Sequence, residues 1–406
     1  MSLSTLRCRA CGAEHAAEPI GICSKCFGPL DPVYDLELAA RTLTREALAS
    51  RPATLWRYAE LLPAEAPEDN RLPAGFTPLV TAPRLAEAVG VGELWVKLDT
   101  ANPTHSFKDR VVAVAAAKAK DFGFGTIACS STGNLANAVA ARAAAEGLEA
   151  VVFVPYDLEP EKLIATAVYG ATLYAIRGSY DDCSRLNVEL SFELPWGFVN
   201  TNLRAYYAEG SKTLGFEIAE QLGWKLPDAV VAPIASGALY AKTAQGLREL
   251  VEIGLVSGKF PRFYGGQAEG CAPVATAFAE GTSVSPIRPN TIARSLAIGN
   301  PADGALALET ARETGGAVYS VPEEEIGENM GLLAEKTGIF GETAAGVTLG
   351  ALREAVSRGE LGARNRVVVL VTGDGLKTPG PVEHRLQPIE IEPDADALLA
   401  RLGVSV

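Results

Sequence analysis

Lys108 lies in the run Asn102-Pro103-Thr104-His105-Ser106-Phe107-Lys108-Asp109-Arg110, which sets its amine in the first turn of a predicted helix. The helix is expected because the apolar, Ala-rich stretch Val111–Ala119 that follows is a good helix former. The positive end of a helix dipole disfavours an ammonium at such a place. A neutral amine is the form that attacks an aldehyde to make a Schiff base. Taken alone, one lysine at a helix start is an ordinary solvated charge. A second group is Cys8-x-x-Cys11 and Cys23-x-x-Cys26, separated by eleven residues. Each pair sits on a tight turn, Cys11-Gly12 or Phe27-Gly28-Pro29, so four thiolates can converge on one tetrahedral zinc. With all four positions filled, such an ion is structural rather than catalytic. Two disulfides, or a knuckle that keeps its shape without metal, are the competing readings.

Composition narrows the chemistry further. The chain has three histidines, His15, His105 and His384, too few for a Ser-His-Asp hydrolase or a histidine-rich metalloenzyme. A net charge of −13 argues against a nucleic-acid partner, since no basic stripe exists to displace counterions. An anionic small-molecule substrate remains compatible, because a local cationic pocket can sit in an acidic protein. Apolar residues make up 48% of the chain, with no run long enough to span a bilayer and no secretory apolar segment. No membrane partner is expected, and the cytoplasm is the expected compartment. At 406 residues there is length for two or three domains, each with its own core.

The elements that must position Lys108 are legible as alternating short apolar runs and helical segments from about Thr77, the signature of a parallel sheet flanked by helices. Strands are expected at Glu93–Leu98, Thr126–Ser130, Ala150–Pro155, Thr172–Arg177, Ala229–Ile234, Arg262–Gln267, Val318–Val321 and Arg366–Thr372. Amphipathic helices are expected at Glu159–Tyr169, Tyr180–Leu194, Leu239–Ile253 and Pro322–Thr337, with another at Leu135–Ala145. Residues 36 to 70 read as polar and helical, ending in a linker marked by Pro63 and Pro67. The tail after Pro381 reads as Ile389–Glu392 and a short helix, Asp394–Leu402, packing on the main lobe. In open parallel sheets, ligands bind where strands end and helices begin. The lysine run, the Ser131 loop, the Ala235 loop and the Thr372 turn all occupy such positions.

The lysine run resembles the pyridoxal-phosphate motif of the fold-type-II enzymes, and within them the threonine synthase family, whose Asn-Pro-Thr-x-Ser-Phe-Lys-Asp-Arg is matched at every defined position. The likeness extends from Leu6 to about Pro379. Gly75-Phe76-Thr77-Pro78-Leu79 looks like the family's Gly-x-Thr-Pro-Leu opening, and Ser131-Thr132-Gly133-Asn134 like its substrate-carboxylate loop. Glu209-Gly210-Ser211-Lys212-Thr213 and Thr372-Gly373-Asp374-Gly375-Leu376-Lys377 match two further blocks. One branch of the family carries a zinc ribbon such as that of Cys8, Cys11, Cys23 and Cys26.

The resemblance implies a two-lobed α/β fold like that of the tryptophan synthase β chain, with parallel-rich sheets flanked by helices and a small N-terminal ribbon. It implies a ribbon over 1–35, a large domain from 36–117 and 206–406, and a small inserted domain over 118–205. It also implies pyridoxal 5'-phosphate bound to Lys108, a structural zinc, a homodimer, and conversion of O-phosphohomoserine to threonine by γ-elimination and β-replacement. The cofactor phosphate would rest on Ala235-Ser236-Gly237-Ala238-Leu239, where small residues and a helix N-terminus suit an anion. This loop departs from the commoner Gly-Asn-x-Gly-Asn. Thr372 would face the ring nitrogen and Asn134 the ring hydroxyl, with Asp374 turned away. Ser131, Thr132 and Gly133 would hold the substrate carboxylate, Lys97 and Arg204 its phosphate, and His105 would pack behind the site or touch substrate. Rival readings are a cysteate synthase, a threonine/serine dehydratase, and a catalytically inactive binding or regulatory paralogue.

Overall fold

The computed structural model describes residues 3–131, 133–156, 160–178 and 180–402. The N-terminal strands β1 (Leu3–Cys8), β2 (Glu14–His15) and β3 (Leu30–Tyr34) form an antiparallel sheet in the order β2-β1-β3. Next in the chain come β4 (Leu79–Thr81), β5 (Glu93–Leu98), β6 (Thr126–Ser130), β7 (Glu149–Pro155), β8 (Thr172–Ile176) and β9 (Gly197–Phe198). The last four are β10 (Ala229–Pro233), β11 (Arg262–Ala268), β12 (Ala317–Val321) and β13 (Arg366–Val371). A six-stranded sheet has the order β12-β11-β10-β13-β5-β4, parallel throughout except for the antiparallel edge pair β4–β5. A fully parallel four-stranded sheet, β8-β7-β6-β9, is built wholly from residues lying between β5 and β10 in sequence.

The central strands are apolar along their whole length because both faces are covered. On β10, Val230 and Ala232 join one core while Ala229 and Val231 join the other. On β13, Val368 and Leu370 divide in the same way from Val367, Val369 and Val371. This is the two-residue alternation of a strand buried on both sides. All eight expected strands form, with ends within a residue of the expected bounds. The short β4 and β9 were not expected: three and two residues are too few to carry a period. The Thr343–Ser357 helix likewise has no sequence signature, since it is buried on almost every side and so lacks a polar stripe.

The ribbon sits on the body of the molecule. Leu6, Cys8, Cys23 and Leu30 pack in one core with Val111, Val112, Ala115 and Ala116 of the helix that begins at Lys108. Arg9 donates to both oxygens of Asp31, at 2.9 and 2.8 Å, and reaches Asp303 at 3.1 Å. The tail differs from expectation. The helix Ala395–Arg401 forms, but Leu386, Ile389 and Ile391 are exposed, so this segment does not pack on a lobe. Its few apolar side chains are separated by Gln387, Pro388 and Glu390, leaving no contiguous face to bury. Among the described residues no helix is long and apolar enough to cross a membrane.

Candidate active site

Lys108 is the first residue of the Lys108–Asp121 helix. Most of the run around it is scaffold. Asn102 accepts from the Gly75 amide at 3.0 Å and donates to the Asp99 carbonyl at 3.2 Å. The buried Asp109 carboxylate accepts from the amide and hydroxyl of Thr104, at 2.8 and 2.9 Å, closing the turn before the helix. Arg110, fully buried, donates to Asp99 at 2.7 and 2.8 Å, to the Thr77 and Thr213 hydroxyls at 2.9 and 3.0 Å, and to Glu217. Lys108 is thus presented by a loop held through Asn102, Thr104, Asp109 and Arg110. The same loop is stitched to the end of β13: Phe107 donates its amide to the Thr372 carbonyl at 2.9 Å, and Asp374 donates to the His105 carbonyl at 3.1 Å.

A cavity of about 610 Å³ opens at the C-terminal ends of the parallel strands. Lys108, Ser131, Gly133, Asn134, Thr372 and every residue of Ala235–Leu239 line it. Four separate strand ends therefore converge on one space, as an open parallel sheet dictates. The Ala238–Glu252 helix has no side-chain cap, which leaves its first amides free for an anion. Gly237 has φ +95°, and a Cβ there would fall 2.4 Å from the Asp303 carbonyl oxygen. Asp303 in turn donates its amide to Ser236 at 2.8 Å, bracing the turn from behind. These walls fit the expected cofactor: an amine to carry it, an uncapped helix start for its phosphate, and a hydroxyl and an amide for its ring. Asp374 is committed elsewhere, accepting from the Leu376 amide at 2.8 Å.

Three further groups at the cavity were missing from the sequence-based site. Tyr207 accepts a hydrogen bond from the Lys108 Nζ at 2.8 Å. Lys377 donates to the Asn134 side-chain oxygen at 2.8 Å and to the Thr104 carbonyl at 2.6 Å. Glu342 accepts from the Asn134 side-chain nitrogen at 3.0 Å, so Asn134 is held at both ends and its amide orientation is fixed. Burial pushes the Glu342 carboxyl above its ordinary value, although the Asn134 bond and the nearby Lys377 and Lys108 charges pull the other way. Gly373 permits this approach, because a Cβ there would meet a Glu342 carboxylate oxygen at 2.3 Å. Lys377 and Tyr207 lie in or beside recognisable blocks. Glu342, far from any block, gives no signal in sequence.

Two proposed phosphate ligands are not brought to the cavity. Lys97 on β5 is fully buried, and its ammonium is saturated by the Thr77 carbonyl at 2.6 Å, Glu217 at 2.6 Å and Gln221 at 2.9 Å. A cation with three acceptors inside the core has none left for substrate. Arg204 opens the Arg204–Glu209 helix and is paired with the buried Asp303. His105 is also turned away, exposed and 3.3 Å from the Thr100 carbonyl. Its φ of +58° lies in the left-handed region that favours glycine. Thr132 lies outside the described residues.

In the ribbon, one ligand atom from each of Cys8, Cys11, Cys23 and Cys26 lies within 4.8 Å of the others. The Cys8–Cys26 and Cys11–Cys23 sulfurs are 3.4 and 3.7 Å apart, and all four are free thiols. Both knuckles close as the turns suggested, with Gly12 donating to the Cys8 carbonyl and Phe27 to that of Cys23, each at 2.9 Å. The donor set fits a tetrahedral zinc.

Comparison with known proteins agrees with this geometry. Residues 71–373 match the family described as pyridoxal-phosphate dependent enzyme. A threonine synthase of Methanosarcina acetivorans is 37% identical over 398 residues, covering 97% of each chain. A threonine synthase of Methanocaldococcus jannaschii is 33% identical, covering 97% of this chain and 98% of its own. Among solved structures, diaminopropionate ammonia lyase from Escherichia coli shares the fold, with a TM-score of 0.67 at 18% identity over 95% of this chain and 99% of that one. With a lysine, an uncapped helix start and a doubly held asparagine around one cavity, and relatives matched over 97% of its length, the chain belongs to the pyridoxal-phosphate dependent enzymes and, among them, to the threonine synthase family.

Proposed function

We propose that this chain converts O-phospho-L-homoserine and water to L-threonine and phosphate. The observation that carries the reading is the meeting of Lys108, Asn134, Ala235–Leu239 and Thr372 around one cavity, in a chain matched by threonine synthase relatives over 97% of its length. When bound, the cofactor supplies an electron sink next to the substrate's α-carbon, which is what γ-elimination and β-replacement require. The Lys108 Nζ would hold the cofactor, and the same amine is placed to accept and return the substrate's carbon-bound protons. Tyr207 orients that amine through its hydroxyl. The amides at the start of the Ala238–Glu252 helix bind the cofactor phosphate, and the Thr372 hydroxyl serves the ring nitrogen. Asn134, clamped by Lys377 and Glu342, serves the ring hydroxyl. Ser131 and Gly133 hold the substrate carboxylate, with Thr132 between them.

Phosphate release from O-phosphohomoserine and O-phosphoserine, assayed side by side, tests the reading. Faster release from the first is expected. Preference for the second favours a cysteate-forming enzyme, and release from neither removes the proposal.

We also propose that Cys8, Cys11, Cys23 and Cys26 bind one structural zinc. Metal analysis should find about one zinc per chain, lost in Cys8→Ser or Cys23→Ser. Purified protein with an intact ribbon and no metal would count against it. The domain limits we propose, 1–35, 36–117 with 206–406, and 118–205, rest on the interleaving of the two larger sheets. A cytoplasmic homodimer completes the proposal. Seven free thiols suit a reducing compartment, and the mass in solution tests the dimer.

A further inference from the structure

A phosphorylated substrate brings a dianion into the cavity, and the two cations that the sequence offers for it, Lys97 and Arg204, are committed elsewhere. Among the described residues, three cationic side chains line the cavity: Lys108, Lys377 and Arg294. Lys108 is bonded to Tyr207, and Lys377 has two acceptors in Asn134 and Thr104. The Arg294 side chain alone of the three makes no hydrogen bond, ion pair or ring contact among the described residues, and the residue is exposed.

The loop that carries it is not a loose surface turn. The Glu323 carboxylate accepts from the Gly270 amide at 2.9 Å, the Thr291 hydroxyl at 3.0 Å and the Ile292 amide at 2.9 Å. Ile287 donates to the Gly299 carbonyl at 3.0 Å, closing the far end, and Leu296 is buried beneath. The backbone is thus fixed on both sides of Arg294 while its head is left free. A planar fork of N–H donors matches a phosphate group bidentately, which an ammonium cannot do.

Resting on the functional reading above, we propose that Arg294 receives the substrate's phosphate and sets the preference for phosphorylated over unphosphorylated amino acids. Its role is binding and specificity rather than proton transfer.

The test compares wild-type holoenzyme with Arg294→Gln and Arg294→Lys. The readouts are steady-state kinetics on O-phosphohomoserine, inhibition by inorganic phosphate, and cofactor affinity by visible absorbance. For Arg294→Gln we expect KM and the phosphate inhibition constant to rise about 10- to 100-fold, with cofactor affinity unchanged. Arg294→Lys should recover part of the loss, since it restores charge but not the fork. Unchanged KM and unchanged phosphate inhibition in Arg294→Gln overturn the assignment. So does a loss of cofactor affinity in its place, which would put the guanidinium on the cofactor's phosphate. Failure of the wild-type enzyme to release phosphate from either phosphorylated substrate is a separate outcome, one that overturns the functional reading and this assignment with it.

Discussion

Lys108→Ala abolishes turnover, by at least about 10³-fold, and removes the visible absorption of a lysine-bound cofactor. The fold should survive. Alanine is the better helix former, and among the described residues the lysine side chain makes a single hydrogen bond, to Tyr207. The cavity keeps its uncapped helix start and its clamped Asn134, so the variant still takes up cofactor non-covalently. Reduction with borohydride followed by peptide mapping should label Lys108 in the wild type and nothing at that position in the variant. Activity persisting in Lys108→Ala would remove the residue from its role and the functional reading with it.

The largest effect on stability is expected at Glu217. Its carboxylate, fully buried, accepts from Lys97 at 2.6 Å, from the Phe76 amide at 2.6 Å and from two nitrogens of Arg110. Glu217→Ala leaves two cations in the core with a reduced set of acceptors. Breaking a buried pair in this way costs about 3–5 kcal/mol. A denaturant midpoint unchanged from wild type would contradict the expectation. Burial alone would raise the Glu217 pKa, but the Arg110 and Lys97 charges outweigh it and hold the carboxyl at about 2. The partners do not share the pair equally: burial, reinforced by Arg110, draws Lys97 below its ordinary value despite Glu217. The ionised core is therefore carried chiefly by Glu217 and Arg110. Because the folded value lies below the ordinary carboxylate value, the stabilisation is full above about pH 4.3 and is lost as pH falls towards 2. Glu217→Gln should flatten this acid limb.

The strands that deliver the site were readable because each is a short apolar run bounded by turn residues, and β5, β6, β10 and β13 end where the reactive segments begin. The cavity wall was readable to the same depth: Lys108, Asn134, Gly237 and Thr372 sit at strand ends or helix starts, where backbone geometry makes residue type informative. Side chains whose role depends on partners far away in sequence were not readable. Lys97 and Arg204 have the right charge for phosphate, yet Glu217, 120 residues from the first, and Asp303, 99 residues from the second, claim them. Glu342 reaches Asn134 across 208 positions, and nothing local to either residue announces the contact. Arg294 lies on a stretch without helix or strand periodicity, so only the folded chain reveals that its loop is tied down by Glu323.

Arg9 and Asp303 touch although 294 positions separate them. The ribbon, complete by Tyr34, emerges from synthesis long before the aspartate that anchors it. The packing of the ribbon on Val111 and Ala115 is available much earlier, so the Arg9 contact to Asp303 is the part of its seating that closes last. Since Asp303 also braces Ser236 through its amide, one residue couples the ribbon to the turn expected to carry a phosphate.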